Sequence, residues 1–492
     1  MFREILRKSA TYSVAIVVSR IIGFAMLPIY TRYLSPADYG VMELLDVTVN
    51  VIGLLAGSRL GQALFYFYFA AEGEEARRTC ISTTLLATVL VATGLALAAL
   101  PAAGALSSLV FGSAQYAFFL RLTLVTFACS LVLESGFCWM RMMGRSGQYV
   151  RAALANLAIS VCLGVVLLAG FGMGLKGLLL AGLVASAGVA AYVLWSALAA
   201  NGVRLDRSLL LRIFLYSLPL GVSGLSVFVI HYGDRIFLRS QVPLSQIGIY
   251  SLAYKLGMAI SFLHAPFSLH WMARVSAVVR SPDGHRIYVK ALTYLTVVLT
   301  SAAVFLTMFA RPVVFLLTTP AFHGAAALAP WIGLAYLFRS LGAHLQGAFT
   351  AEGKPNAELR ANGLGGIVCL IAYATLIPLF KLWGAVAATL IGFLVILVYS
   401  YWEAQRLRYY RFEYRRLLQT AGIAVAFVSC FHLLRPSGVL AELATGVLAM
   451  VLYSCAIIFG VFEREERVAG VAAARSALKN FHAAVPVGEV AA

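Results

Sequence analysis

Charge-poor stretches of about 20 apolar residues recur along almost the whole chain, each long enough to cross a hydrocarbon core about 30 Å thick as an α-helix. They lie near 10–31, 40–69, 79–103, 115–140, 152–170, 177–199, 213–233, 245–273, 291–310, 324–350, 361–380, 382–402, 418–434 and 443–462. The pattern predicts an all-α polytopic membrane protein with about fourteen transmembrane helices. A membrane barrel would show segments of about 10 residues alternating in polarity. Glycine falls within many of the stretches, which helices tolerate when they pack against neighbours in lipid. The start, MFREILRKSATYSVAIVV, reads as the first span and not a removed signal peptide, because its apolar run is too long and lacks a cleavage pattern.

Hydrophobic residues make up 61% of the chain and charged residues 12%, against roughly a quarter charged in soluble proteins. With loops of roughly 10 to 20 residues at most, no soluble domain fits. The net charge of +18 raises the question of a nucleic-acid partner, and the placement of the charges answers it. When successive loops are assigned to alternate sides, 26 of the 38 Lys and Arg fall on the side of the N-terminus, 7 on the other side and 5 within spans. By the positive-inside rule both termini are expected in the cytoplasm, the membrane being the inner membrane of a bacterium.

Weak internal self-similarity divides the chain. Tyr12, Ser13 and Ser19 correspond to Tyr216, Ser217 and Ser223, Pro36 and Gly40 to Pro243 and Gly248, Gly144 and Arg151 to Gly353 and Arg360, and Gly177 to Gly384, at a nearly constant offset. The expected organisation is two pseudo-symmetric six-helix lobes in the same orientation, 1–205 and 206–410. An unmatched helix pair at 411–462 and a cytoplasmic tail at 463–492 follow.

Seven cysteines stand singly, without C-x-x-C or metal-ligand spacing, and read as small buried apolar residues; no metal or cofactor is expected. No ATP-binding G-x-x-x-x-G-K-[ST] loop, H-E-x-x-H or G-x-S-x-G is present, and no loop is large enough for a sugar-transfer site. Chemistry therefore has to be sought in polar groups at bilayer depth, which normally face a bundle interior or a wet cavity. Those groups are Arg20, Glu43, Asp46, Arg59, Arg121, Glu134, Lys255, His264, Arg339 and His344. Glu43, Asp46 and Asn50 share one helical face at i, i+3 and i+7, and Tyr254, Ser261, His264 and Ser268 form a similar stripe with Ser251 and Lys255 at its edge. The two stripes predict a central hydrophilic cavity. Internal pairing of Arg20 or Arg59 with Asp46 or Glu134, merely locking helices together, stays open beside it. His264 and His344 read first as packing histidines, and Asp234 with Arg235 as an interfacial pair anchoring the end of span 7.

The segments SRIIGFAMLPIYTRYLSPADYGVMELL (19–45) and GDRIFLRSQVPLSQIGIYSLAYKLG (233–257) resemble the Wzx-type polysaccharide flippases of the multidrug/oligosaccharidyl-lipid/polysaccharide exporter superfamily. So do GRSGQYVRAALANL (144–157) and EGKPNAELRANGLGG (352–366). The resemblance implies rocking lobes that carry an undecaprenyl-pyrophosphate-linked oligosaccharide to the outer leaflet for O-antigen, exopolysaccharide or capsule assembly. Membrane lipid, a polysaccharide polymerase and chain-length machinery are the implied partners. Arg20 matches an arginine in the S-R-x-x-G-F stretch of the related lipid II flippases, where it lines the cavity, and Arg59 falls near another. Met26 departs from that pattern, since those flippases carry an arginine there, which argues against lipid II as substrate. Substrate binding is thus expected from Arg20, Arg59, Lys255, Asn50 and Tyr254, and ion coupling from Glu43, Asp46 or Glu134. Two other readings stay open, a cation-coupled multidrug antiporter of the same superfamily and a membrane-embedded polysaccharide polymerase or ligase.

Overall fold

Short polar signals set where the apolar stretches start and stop. The computed structural model describes residues 18–55, 60–272, 274–434 and 438–468, and each predicted stretch coincides with helix over its described residues. Helix α1 is described over 18–25 and turns at Met26 into α2 (Leu27–Tyr33), with α3 (Pro36–Leu55) and α4 (Leu60–Ala70) after it. The stretch predicted as one span over 40–69 is therefore described as two helices. Then come α5 (Glu74–Phe111), α6 (Ala117–Met142), α7 (Ser146–Val165), α8 (Gly174–Asn201), α9 (Arg207–Gln241), α10 (Leu244–Met272) and the short α11 (Val275–Arg280). The chain continues through α12 (Gly284–Leu317), α13 (Ala325–Ala351), α14 (Pro355–Phe380), α15 (Leu382–Leu407), α16 (Tyr414–Leu433) and α17 (Val439–Gly460).

Ser35 starts α3 through a reciprocal cap. Its backbone N–H donates to Asp38 Oδ2 at 2.9 Å, and the Asp38 N–H donates to Ser35 Oγ at 3.2 Å, satisfying donors that a helix start leaves open. Asp206 caps α9 by accepting from the N–H groups of Ser208 and Leu209, and the Ser208 hydroxyl bond first, with those N–H bonds after it, holds its carboxyl below the usual range.

Among the described residues ten helices, α5–α8 and α12–α17, are long and apolar enough to cross a membrane. Helices α3, α9 and α10 are as long, and α3 and α10 carry the polar stripes. Exposed Trp195, Trp331, Trp383 and Trp402 lie near helix ends, where aromatic side chains meet a membrane interface.

Helices α4 to α8 pack around Leu64, Trp139 and Val193. Helices α10 and α12 to α15 pack around Tyr250, Ala335 and Phe393, with α13 between α10, α12 and α15. Helix α3 leans across onto α9 and α10, and α16 with α17 lies against α12 over Met308, Ala424 and Tyr453. Gly144 and Gly353 both take the left-handed conformation, at φ +67° and +66°. In each turn the following N–H reaches back five residues, from Arg145 to the Met140 carbonyl and from Lys354 to the Phe349 carbonyl.

Candidate functional site

The i, i+3, i+7 stripe of α3 faces the stripe of α10, with α9 and α13 closing the sides. Glu43, Asp46 and Asn50 line a cavity of about 400 Å³ together with His231, Tyr232 and Arg235 of α9, Ser251, Tyr254, Lys255 and Met258 of α10, and Tyr336 of α13. For orientation, the bundle end that holds the linker between α8 and α9 is called the basic end, and the opposite one the far end.

Arg235 organises this site. Its side chain is 2% exposed, with Nε donating to Glu43 Oε1 at 2.9 Å and Nη1 to Asp234 Oδ1 at 2.7 Å. Nη1 also reaches the His231 carbonyl at 2.8 Å, and the Tyr254 ring lies 3.9 Å from the guanidinium carbon. Tyr250 donates to the second Asp234 oxygen. The guanidinium thus has two carboxylates, a carbonyl and a ring face around it, which is what a cation out of water requires. Beside it Tyr336 donates to the Tyr254 hydroxyl at 3.1 Å and lies 3.1 Å from His231 Nδ1.

These contacts correct the reading of Asp234 and Arg235 as an interfacial anchor. Helix α9 runs on to Gln241, so both side chains sit inside the bundle, and Glu43–Arg235 ties α3 to α9.

Toward the far end the cavity is closed by backbone. A Cβ on Gly40 would lie 2.0 Å from the Leu244 carbonyl oxygen, and one on Gly248 would lie 1.8 Å from that of Pro36. The two repeat-related glycines therefore interlock α3 and α10 at a distance open only to glycine. Tyr39 meets Phe322 edge to face at 5.1 Å, Thr31 donates to the Leu317 carbonyl at 3.3 Å, and Thr319 donates to that of Thr31 at 3.2 Å. Arg239 donates to the Phe111 carbonyl at the end of α5.

Toward the basic end lies a second group of cations. Arg339 stands three residues beyond Tyr336 on α13, within Coulombic range of His231 and His264. Its Nη1 is buried without a hydrogen-bond partner. Arg20 lies over the Phe262 ring of α10, 4.4 Å from its centroid. An apolar cavity of about 290 Å³ lies between α1–α2, α10 and α12, lined by Phe24, Leu27, Leu263, Phe305 and Phe309 among others.

The structure brings Glu43, Asp46, Asn50, Tyr254 and Lys255 together. Lys255 Nζ sits 5.3 Å from the Tyr39 ring, and Asn50 Nδ2 donates to the Asp46 carbonyl at 2.7 Å. Arg20 is placed outside that cavity lining, Glu134 is on α6 and does not line it either, and Arg59 lies outside the described residues. His344 packs among Phe267, Trp271 and Tyr288. His231, Tyr232, Arg235, Tyr336 and Arg339 went unread as site residues. The spacing of His231 and Arg235 on α9, one turn apart, was the signal that could have found them.

A family model described as polysaccharide biosynthesis protein matches residues 5–270. No curated protein matches the chain. Among solved structures, lipid II flippase MurJ in an inward closed conformation superposes with a TM-score of 0.71 at 14% identity, covering 91% of this chain and 98% of that one. An inward-facing multidrug resistance MATE family transporter of the MOP superfamily gives 0.65 at 14% identity over 81% and 95% of the two chains. An outward-facing one gives 0.60 at 15% over 82% and 96%. At such identities the likeness is one of fold. The match over more than half of its length places the chain in the polysaccharide biosynthesis protein family.

Proposed function

We propose that the protein flips a polyprenyl-diphosphate-linked oligosaccharide from the cytoplasmic to the outer leaflet of a bacterial inner membrane by alternating access. The basic end is then cytoplasmic, and the contacts around Gly40 and Gly248 close the outer side. The organisation into lobes at 1–205 and 206–410 supplies the two rocking bodies.

The observation that carries this reading is Arg339. Its Nη1 is buried without a hydrogen-bond partner, and among the described residues no carboxylate lies within ion-pair distance of it, the exposed Glu358 of α14 acting on it only at longer range. An unpaired cation at bilayer depth is costly unless a ligand brings the counter-charge. Arginine offers two parallel donors to phosphate oxygens, so a diphosphate suits that place, with Arg20 as the second cation on α1. The apolar cavity between α1–α2, α10 and α12 includes Phe24, one turn from Arg20, and Leu263, next to Phe262, and α16 with α17 adds apolar surface, so the polyprenyl chain can stay in lipid. Glu43 and Asp46 remain the groups proposed for ion coupling.

The test is genetic and chemical. A deletion strain is expected to accumulate a lipid-linked glycan on the inner leaflet and to lose a surface polysaccharide. Arg339→Gln and Arg20→Ala, expressed at normal level, should each restore export at least about tenfold less well than the unaltered chain, a loss of about 1.4 kcal/mol of differential interaction. Full restoration by both removes the diphosphate role. Unchanged glycan export in the deletion strain, with raised drug sensitivity, would turn the assignment to the antiporter.

A further inference from the structure

We propose that the cavity between α3, α9, α10 and α13 is a sugar subsite, holding an uncharged polyhydroxylated ring of the glycan apart from its diphosphate; this rests on the flippase reading above.

Charge is the first argument. The cavity is lined by two carboxylates, Glu43 and Asp46, and two cations, Arg235 and Lys255. Arg235 is already satisfied by Glu43 and Asp234, which leaves Lys255 facing Asp46. A diphosphate placed there would meet the Asp46 carboxylate with no net attraction to offset it. About 5 Å past Tyr336 toward the basic end, at 1.5 Å per helical residue, Arg339 offers a guanidinium whose Nη1 is buried without a hydrogen-bond partner.

Hydrogen-bonding capacity is the second. Asp46 lines the cavity, is exposed, and among the described residues has no hydrogen bond or ion pair on its carboxylate. It can accept from two hydroxyls. Lys255 can donate to hydroxyl oxygens, and Asn50 keeps its amide oxygen after spending Nδ2 on the Asp46 carbonyl. Tyr232 adds an aromatic surface braced by stacking on Phe228 at 5.6 Å. Acceptors, donors and a ring surface, with no surplus of positive charge, match a pyranose and not a phosphate.

Size and position are the third. About 400 Å³ lies within the usual range for small-molecule sites and admits one or two sugar units. It is closed at the far end by Gly40 against Gly248, so a substrate entering from the basic end would lead with its glycan and leave its diphosphate at Arg339.

The test uses the full chain in nanodiscs and two probes: the lipid-linked glycan pool extracted from the deletion strain, and undecaprenyl diphosphate without sugar. The unaltered protein should bind the glycosylated pool at least about tenfold more tightly. Asp46→Ala and Tyr232→Ala should each abolish most of that preference while leaving the affinity for the bare diphosphate within about twofold. Arg339→Gln should weaken both lipids and keep the preference. Equal weakening of both probes by Asp46→Ala and Tyr232→Ala, or no effect on either, overturns the sugar subsite. Binding of the bare lipid without any preference overturns it while sparing the flippase reading, and binding of neither lipid removes both.

Discussion

Arg235 touches two carboxylates at once, and that asymmetry makes a sharp prediction at the scale of single residues. Replacing it by Met leaves Glu43 and Asp234 buried together without a cation, a situation that costs about 3–5 kcal/mol. Replacing Glu43 by Gln is milder, because Arg235 keeps Asp234 and the amide oxygen still accepts, so about 1–2 kcal/mol is expected. Thermal unfolding in detergent should therefore show a much larger fall for Arg235→Met than for Glu43→Gln; equal falls would mean that the pair is not the hub of the site. Half of this site was legible beforehand. The stripe of Glu43, Asp46 and Asn50 follows from helical spacing, and so does its facing of Tyr254 and Lys255. Arg235 was hidden by its neighbours in sequence: Gly233 and Asp234 before it and Arg239, Ser240 and Gln241 after it read as the end of a span, and only the extension of α9 to Gln241 draws it inside the bundle. Arg339 was visible as an intramembrane cation, but the burial of its Nη1 without a hydrogen-bond partner comes from tertiary packing that helical spacing does not reveal.

At the scale of elements, the unmatched pair α16–α17 is stapled to α12 at both membrane faces. At one face Arg311 meets Glu442 at 2.7 Å. At the other, Glu466, just past α17, binds Lys290 at 2.9 Å, accepts from Tyr294 at 2.7 Å and pairs with Arg416. Arg416 also meets Glu413 at 3.2 Å and reaches the Val461 carbonyl at 3.0 Å. Partial burial works against the charge of Glu466, yet the bonds from Arg416, Tyr294 and Lys290 hold its carboxyl down to about 2 from an ordinary value of about 4.5. A carboxyl depressed on folding contributes stability that is fully present above its unfolded value and is lost as pH falls through the folded one. The staple should thus be intact at neutral pH and weaken between about 4.5 and about 2. Hydrogen exchange over 414–433 should rise in that window, and at neutral pH in Glu466→Gln, while α13 to α15 stay protected. Unchanged exchange in the variant would show that apolar packing alone holds the pair. The fourteen stretches were readable because a bilayer demands length and apolarity, and little else produces them. The attachment of α16–α17 was not, since Glu466 and Lys290 are far apart in sequence and each looks like an ordinary juxtamembrane charge.

Across the whole molecule, the alternating access proposed above would require the far end to open, and the structure concentrates the obstacle in one place. Gly40 and Gly248 bring α3 and α10 together so closely that a Cβ on either would lie 2.0 or 1.8 Å from a carbonyl oxygen of the other helix. A backbone oxygen cannot rotate aside as a side chain can, so the helices must part. Tyr39–Phe322 and the Thr31 contacts lie at the same end and separate with them. Gly248→Ala is therefore expected to shift the population toward an open far end without unfolding the protein. Spin labels at Tyr33→Cys and Ser240→Cys, both exposed near that end, should report a longer distance in Gly248→Ala, by more than the about 1–2 Å that packed helices absorb by sliding. Gly23→Ala is the control, since a Cβ there meets nothing within 4 Å, and it should leave the distance unchanged. If Gly248→Ala gives the same distance as the unaltered chain, the glycine contact yields locally and does not hold the far end shut; if both alanine variants lengthen it, the effect lies in helix propensity and not in the interlock.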